Sequence, residues 1–134
     1  MAKEYVLDGA KITSLEAFFE QVSRVLIPGA YWGRNLDAFN DILRGGFGTP
    51  DEGFMIRWIN SDASRTHLGH TETARQLEMT LERCHPSNRP AVRHDLQEAR
   101  AGQGSTVFDW LIEIIDEHGD GGQEAEDKVQ LVLL

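Results

Sequence analysis

The chain has 134 residues, enough for one domain with a buried core and short for two of ordinary size. A hydrophobic fraction of 40% and a charged fraction of 26% are globular proportions and exclude an intrinsically disordered chain. The formal charge of −9 argues against a nucleic-acid binder and suits a basic partner, although acidity also serves plain solubility.

In chain order, Glu4–Leu7 is predicted to form a short strand stopped by the turn pair Asp8-Gly9. Thr13-Ser14-Leu15-Glu16 fits a capping box, with the Thr13 hydroxyl capping and Glu16 reaching back. Leu15, Phe18, Phe19, Val22, Val25 and Leu26 follow at helical spacing, and Pro28-Gly29 ends that helix. Asn35 is a good N-cap for a second helix, Leu36 to about Arg44, closed by Gly45-Gly46. A turn over Pro50–Gly53 leads into the apolar run Phe54–Ile59, which suits a central strand covered on both faces. Ala74, Leu77, Met79, Leu81 and Cys84 predict a helix over roughly Thr71–Cys84. His85–Gly104, with two prolines and few large apolar residues, reads as a surface excursion, and Thr106–Glu117 as a helix with a buried face. The Gly- and acid-rich stretch Gly119–Asp127 is expected to be a loop before a last strand over Val129–Leu134. Helical crossovers between strands imply an α/β domain with a small parallel sheet and helices packed on it.

The single cysteine, Cys84, leaves no intrachain disulfide framework. The N-terminus MAKEYVLDG lacks the apolar core of a signal peptide, and no run approaches the roughly 18 apolar residues of a membrane span. A cytoplasmic, membrane-free location is expected.

The segment AYWGRNLDAFNDILRGGFG, Ala30–Gly48, concentrates the chemistry. Stepping about 100° per residue along the second helix puts Leu36, Ala38, Phe39, Ile42 and Leu43 on one half of the circumference. Asp37, Asn40, Asp41 and Arg44 share the other half. Two carboxylates at i and i+4 repel by a few tenths of a kcal/mol, roughly. Asp37 lies in the first turn, where the helix dipole favours an acid, and Asp41 has Arg44 within reach at i+3. An ordinary solvated face and a binding face both fit this pattern. Tyr31 and Trp32 before the helix, with Gly33 and Gly45-Gly46 as flexible flanks, add the composition of an interface hot spot, while one of the two aromatics is expected to pack in the core.

Other constellations carry less. His67, His70, His85 and His94 have no metal-site spacing, and Cys84 beside His85 is no nucleophile signature. Gly119-Asp120-Gly121-Gly122 lacks the Lys and Ser/Thr of a phosphate loop. An acid/base role for Asp37 and Asp41 lacks a pocket and an electrophile. No catalytic residue, metal or cofactor is expected.

The run Tyr31-Trp32-Gly33-Arg34-Asn35-Leu36-Asp37-Ala38-Phe39-Asn40-Asp41-Ile42-Leu43 resembles the signature of the barstar family, inhibitors of the secreted ribonuclease barnase and its relatives. The resemblance is good over about Tyr5–Gly46 and passable at Phe54–Ile59; beyond Ser61 only the order of elements agrees. It implies a three-stranded parallel sheet flanked by about four helices, forming one barstar-like domain over the whole chain with insertions near 79–104 and 119–128. It further implies a monomeric inhibitor whose acidic helix and preceding loop enter the basic cleft of a ribonuclease. In that role Asp41 takes the place of the substrate phosphate, Asp37 adds an acceptor and Tyr31 packs on the catalytic histidine. Trp32, Gly33, Asn35, Asn40, Arg44, Gly45 and Gly46 complete the expected partner-binding set. The alternative partner is a different basic toxin or other basic protein. Asn40 and Gly46 stand where the best-known member has tryptophans, and Arg34 replaces an acid. Glu113 is the nearest counterpart of the family's acid on its last helix.

Overall fold

The computed structural model describes residues 3–134. Three strands, β1 (Lys3–Asp8), β2 (Phe54–Ile59) and β3 (Val129–Leu133), form one parallel sheet in the order β1-β2-β3. Its register aligns Tyr5 with Ile56 and Ile56 with Leu131. Parallel neighbours need crossovers. Two helices, α1 (Leu15–Val25) and α2 (Leu36–Arg44), supply the first. The second contains α3 (Ser61–His67), α4 (His70–Arg83), α5 (Arg89–Arg100) and α6 (Val107–Glu117). The α/β class and the three-stranded parallel sheet are as expected, with six helices rather than about four.

The core lies between the sheet and α1, α2 and α6. Leu7, Phe18, Phe39, Ile56, Trp58, Phe108 and Leu111 are all buried there. Phe18 stacks on Trp58 at 5.3 Å between ring centroids and meets Phe39 edge-on at 5.1 Å. The buried indole satisfies its N–H by donating to Ser64 Oγ at 2.9 Å, and Ser64 in turn donates to the Gly9 carbonyl at 3.1 Å. There the turn after β1 and the start of α3 lie so close that a Cβ on Gly9 would stand 2.2 Å from the Asn60 carbonyl oxygen.

Four sequence expectations are corrected. β2 alternates: Phe54, Ile56 and Trp58 are buried, but Met55, Arg57 and Ile59 are half-exposed, so helices cover only one face fully. Ser14, not Thr13, caps α1, its hydroxyl accepting from the Ala17 N–H at 3.1 Å. Glu16 turns away to Arg75 and Gln76, and the Leu15 N–H is satisfied across the fold by Glu72 Oε2 at 2.8 Å. The supposed excursion His85–Gly104 contains α5. Pro86 and Pro90 sit in first-turn positions, where a missing N–H costs no helical bond. Leu96 and Ala99 pack on Leu77, forming a second small core that Trp110 joins to the first.

Candidate functional site

The second helix forms as its sequence requires. Asn35 Oδ1 accepts the Ala38 N–H at 2.8 Å, and Gly45 closes the helix by donating to the Ile42 carbonyl at 3.1 Å. Gly45 (φ 111°) and Gly46 (φ 91°) both occupy the positive-φ region that favours glycine. Phe39, Ile42 and Leu43 are buried, whereas Asp37, Asp41 and Arg44 are exposed. The apolar side of α2 is complete without either carboxylate.

The two aromatic residues before α2 have opposite fates. Trp32 is 7% exposed, packs edge-on against Phe19 and donates its indole N–H to Ser23 Oγ at 2.6 Å. Its ring therefore anchors the loop, as expected for one of the two aromatics. Tyr31, carried on the same anchored loop, is 98% exposed. Exposed Gly33 separates this loop from Arg34, which adopts a positive φ of 49° and pairs with Glu20 at 3.3 Å. Tyr31, Asp37 and Asp41 thus project from a rigidly mounted loop and helix.

Asp41 does not stand alone. Arg44 Nη1 donates to Asp41 Oδ1 at 3.0 Å, and Arg44 Nε donates to Glu124 Oε1 at 2.6 Å. The Arg44 hydrogen bond holds the Glu124 carboxyl below the usual carboxylate range, and Glu124 in turn raises Arg44. Behind this chain lies His118, at 0% exposure, which caps the C-terminal end of α6. Its Nε2 is 2.6 Å from Asn40 Oδ1 and its Nδ1 is 2.6 Å from Asp127 Oδ2. Asn40, expected on the outward face, is half-buried and committed to this inward contact. The loop Gly119–Lys128 is thereby tied to α2 by Glu124 to Arg44 and, through His118, by Asp127 to Asn40.

Sequence reasoning did not single out His118. Its only local signal was its place just after a helix with a strong apolar face, followed by acids six and nine residues later. Pairing across 78 residues to Asn40 leaves no such trace. His70, His85 and His94 each have a separate partner: His70 Nε2 is 3.1 Å from the Gly104 carbonyl, His85 Nδ1 is 2.7 Å from Ser87 Oγ, and His94 pairs with Glu98 at 2.6 Å. Among the described residues, one atom each from His118, Glu124 and Asp127 falls within 4.8 Å of the others. Hydrogen bonds among them and to Arg44 already account for that closeness. Glu113 is exposed on the α4–α5 side of α6, where it lines a cleft with Asp95, Glu98 and Trp110. No described helix is long and apolar enough to cross a membrane.

A family model described as Barstar (barnase inhibitor) matches residues 2–93. The match spans β1 through α4 and ends inside α5, so it takes in Tyr31, α2 and Gly46 but stops short of His118, Glu124 and Asp127. No curated protein matches the chain.

Proposed function

Because the chain belongs to the barstar family, as the match over residues 2–93 establishes, we propose that it inhibits a basic microbial ribonuclease by binding and occluding its active site. The observation that carries this is the exposed pair Asp37 and Asp41 beside a fully exposed Tyr31, on a helix whose core-facing side is complete without them. A ribonuclease cleft must bind phosphate, and it does so with cations. A carboxylate that accepts charge-assisted hydrogen bonds from arginine is a good surrogate for that phosphate. Asp41 takes this part, Asp37 adds a second acceptor, and Tyr31 packs its ring on a histidine of the cleft. Gly33, Gly45 and Gly46 let the partner approach the backbone closely. Trp32 supports from beneath, and Asn35 fixes the start of the helix. The protein supplies no chemistry; it excludes RNA by occupying the site. The charge of −9 steers a basic enzyme toward this face and speeds encounter.

The test is inhibition of a panel of small basic ribonucleases, barnase included, by the wild type and by Asp41→Ala. Inhibition by the wild type with a loss of about 10- to 100-fold in the variant is expected, the worth of one charge-assisted hydrogen bond or more. No inhibition of any member at micromolar concentration would remove the ribonuclease reading.

A second reading, an immunity module for a different basic toxin, draws on Asn40 and Arg34. Asn40 is committed to His118, and Arg34 places a cation next to a surface meant for a cationic cleft. Binding of a non-nuclease basic protein through Asp37 and Asp41, with no effect on ribonucleases, would favour it.

A further inference from the structure

A fully buried histidine must satisfy both ring nitrogens, and His118 does so with partners from two different segments. Imidazole carries one N–H when neutral and two when charged. The Asp127 carboxylate at Nδ1 only accepts, so that nitrogen keeps its proton in either state. Nε2 then decides. In the orientation that turns Asn40 Oδ1 toward it, at 2.6 Å here, Nε2 must donate, and that arrangement requires the imidazolium. A neutral ring must accept at Nε2, and the Asn40 amide can meet it only by turning half a revolution to offer Nδ2–H. The two amide orientations have nearly the same shape and differ in hydrogen-bonding sense.

We propose that His118 is a positioning residue of the α2 surface, its protonation setting which end of the Asn40 amide points away from the core. The charged ring leaves an NH2 donor on the half-exposed side, beside Asp37 and Arg44. The neutral ring leaves a carbonyl acceptor there. The face thus alternates between accommodating a partner's acceptor and accommodating its donor. This rests on α2 being the ribonuclease-binding face. The groups facing His118 are Asp127 and Glu124 from the loop after α6, the latter with Oε2 3.4 Å from Nε2. From α2 comes the neutral Asn40, with Arg44 beyond it on Glu124. From β3 the contact is the Val129 N–H donating to the His118 carbonyl at 2.9 Å.

Nuclear magnetic resonance on the free, 15N-labelled full chain tests the coupling across the pH range in which the protein stays folded. The His118 ring nitrogens and the Asn40 side-chain NH2 are expected to titrate with one midpoint. The Asn40 signals should lose that response in His118→Gln, and Asn40→Ala supplies a variant that keeps the histidine. With barnase as probe, the ratio of wild-type to Asn40→Ala affinity is expected to change by about threefold or more across the same range, the worth of one hydrogen bond gained or lost. The probe's own titrating groups are common to both proteins and cancel in the ratio. Asn40 signals that stay fixed while His118 titrates, a His118 that does not titrate in this range, or a flat affinity ratio would each overturn the proposal. If barnase binds at no pH, the barnase arm counts against the ribonuclease reading, and the free-protein resonances alone decide this one.

Discussion

Asp41, Arg44 and Glu124 form a short charge chain on the surface, and its middle member has the wrong sign for a cationic cleft. An approaching arginine must share Asp41 with Arg44 or displace it. Arg44→Ala is therefore expected to tighten inhibition of a basic ribonuclease several-fold. It should leave folding stability little changed, since Arg44 itself is exposed and such ion pairs contribute little. Weaker inhibition by the variant would show that Arg44 contacts the enzyme favourably instead. Tyr31 and Trp32 offer a cleaner separation of binding from folding. Removing the exposed Tyr31 side chain is predicted to leave stability within about 0.5 kcal/mol of wild type and to weaken inhibition. Trp32→Ala empties a buried site and is predicted to cost about 3–5 kcal/mol in chemical denaturation. Two neighbours in sequence thus separate by readout.

Among the elements, α1 and α4 are joined by a buried acid. Burial alone would raise the Glu72 pKa, but hydrogen bonds from Arg75, the Leu15 N–H and Gln76 outweigh it and hold the carboxyl below its usual range. The sign follows from linkage: a depressed folded-state pKa stabilises above the unfolded value and loses that contribution as pH falls through the folded one. Acid titration of stability below about pH 4.5 should therefore be shallower in Glu72→Gln than in wild type. The variant should also be less stable at neutral pH, where the carboxylate bonds are lost.

How far each element was legible in the sequence depends on where its information lies. For α2 it is local: the Asn35 cap, apolar residues at helical spacing, and glycine closure at Gly45. α3 has no apolar stripe to read, because its buried residues are Ser61 and Ser64, and Ser64 serves the Trp58 indole. α5 buries only Leu96 and Ala99 fully and needs α4 and Trp110 to complete its core, so its own sequence resembles a polar surface segment. Within the site the same division holds. The Asp37–Asp41 spacing is local, whereas the Asn40–His118 and Arg44–Glu124 contacts join residues 78 and 80 positions apart.

Across the whole molecule, the sheet is packed by helices on one face, while Val6 and Glu4 on the other are exposed and Arg57 pairs with Glu4 across it at 3.6 Å. The acidic α2 surface therefore belongs to a rigid helical layer and not to a mobile appendage. With a charge of −9 opposed to a basic enzyme, association should be steered. Stopped-flow association with a ribonuclease that the protein inhibits is predicted to slow markedly as ionic strength rises and the screening length falls to about 8 Å or less. An association rate indifferent to salt would remove the steering argument while leaving the contacts in question intact.

The central claim is that Asp41 stands in for phosphate in a ribonuclease active site. Its most direct measurement is titration of barnase activity with wild type and with Asp41→Ala, alongside denaturation to establish that both are folded. The predicted result is stoichiometric inhibition by wild type and an inhibition constant weaker by about 10-fold or more for an equally stable variant. Equal inhibition by the two folded proteins would contradict the claim.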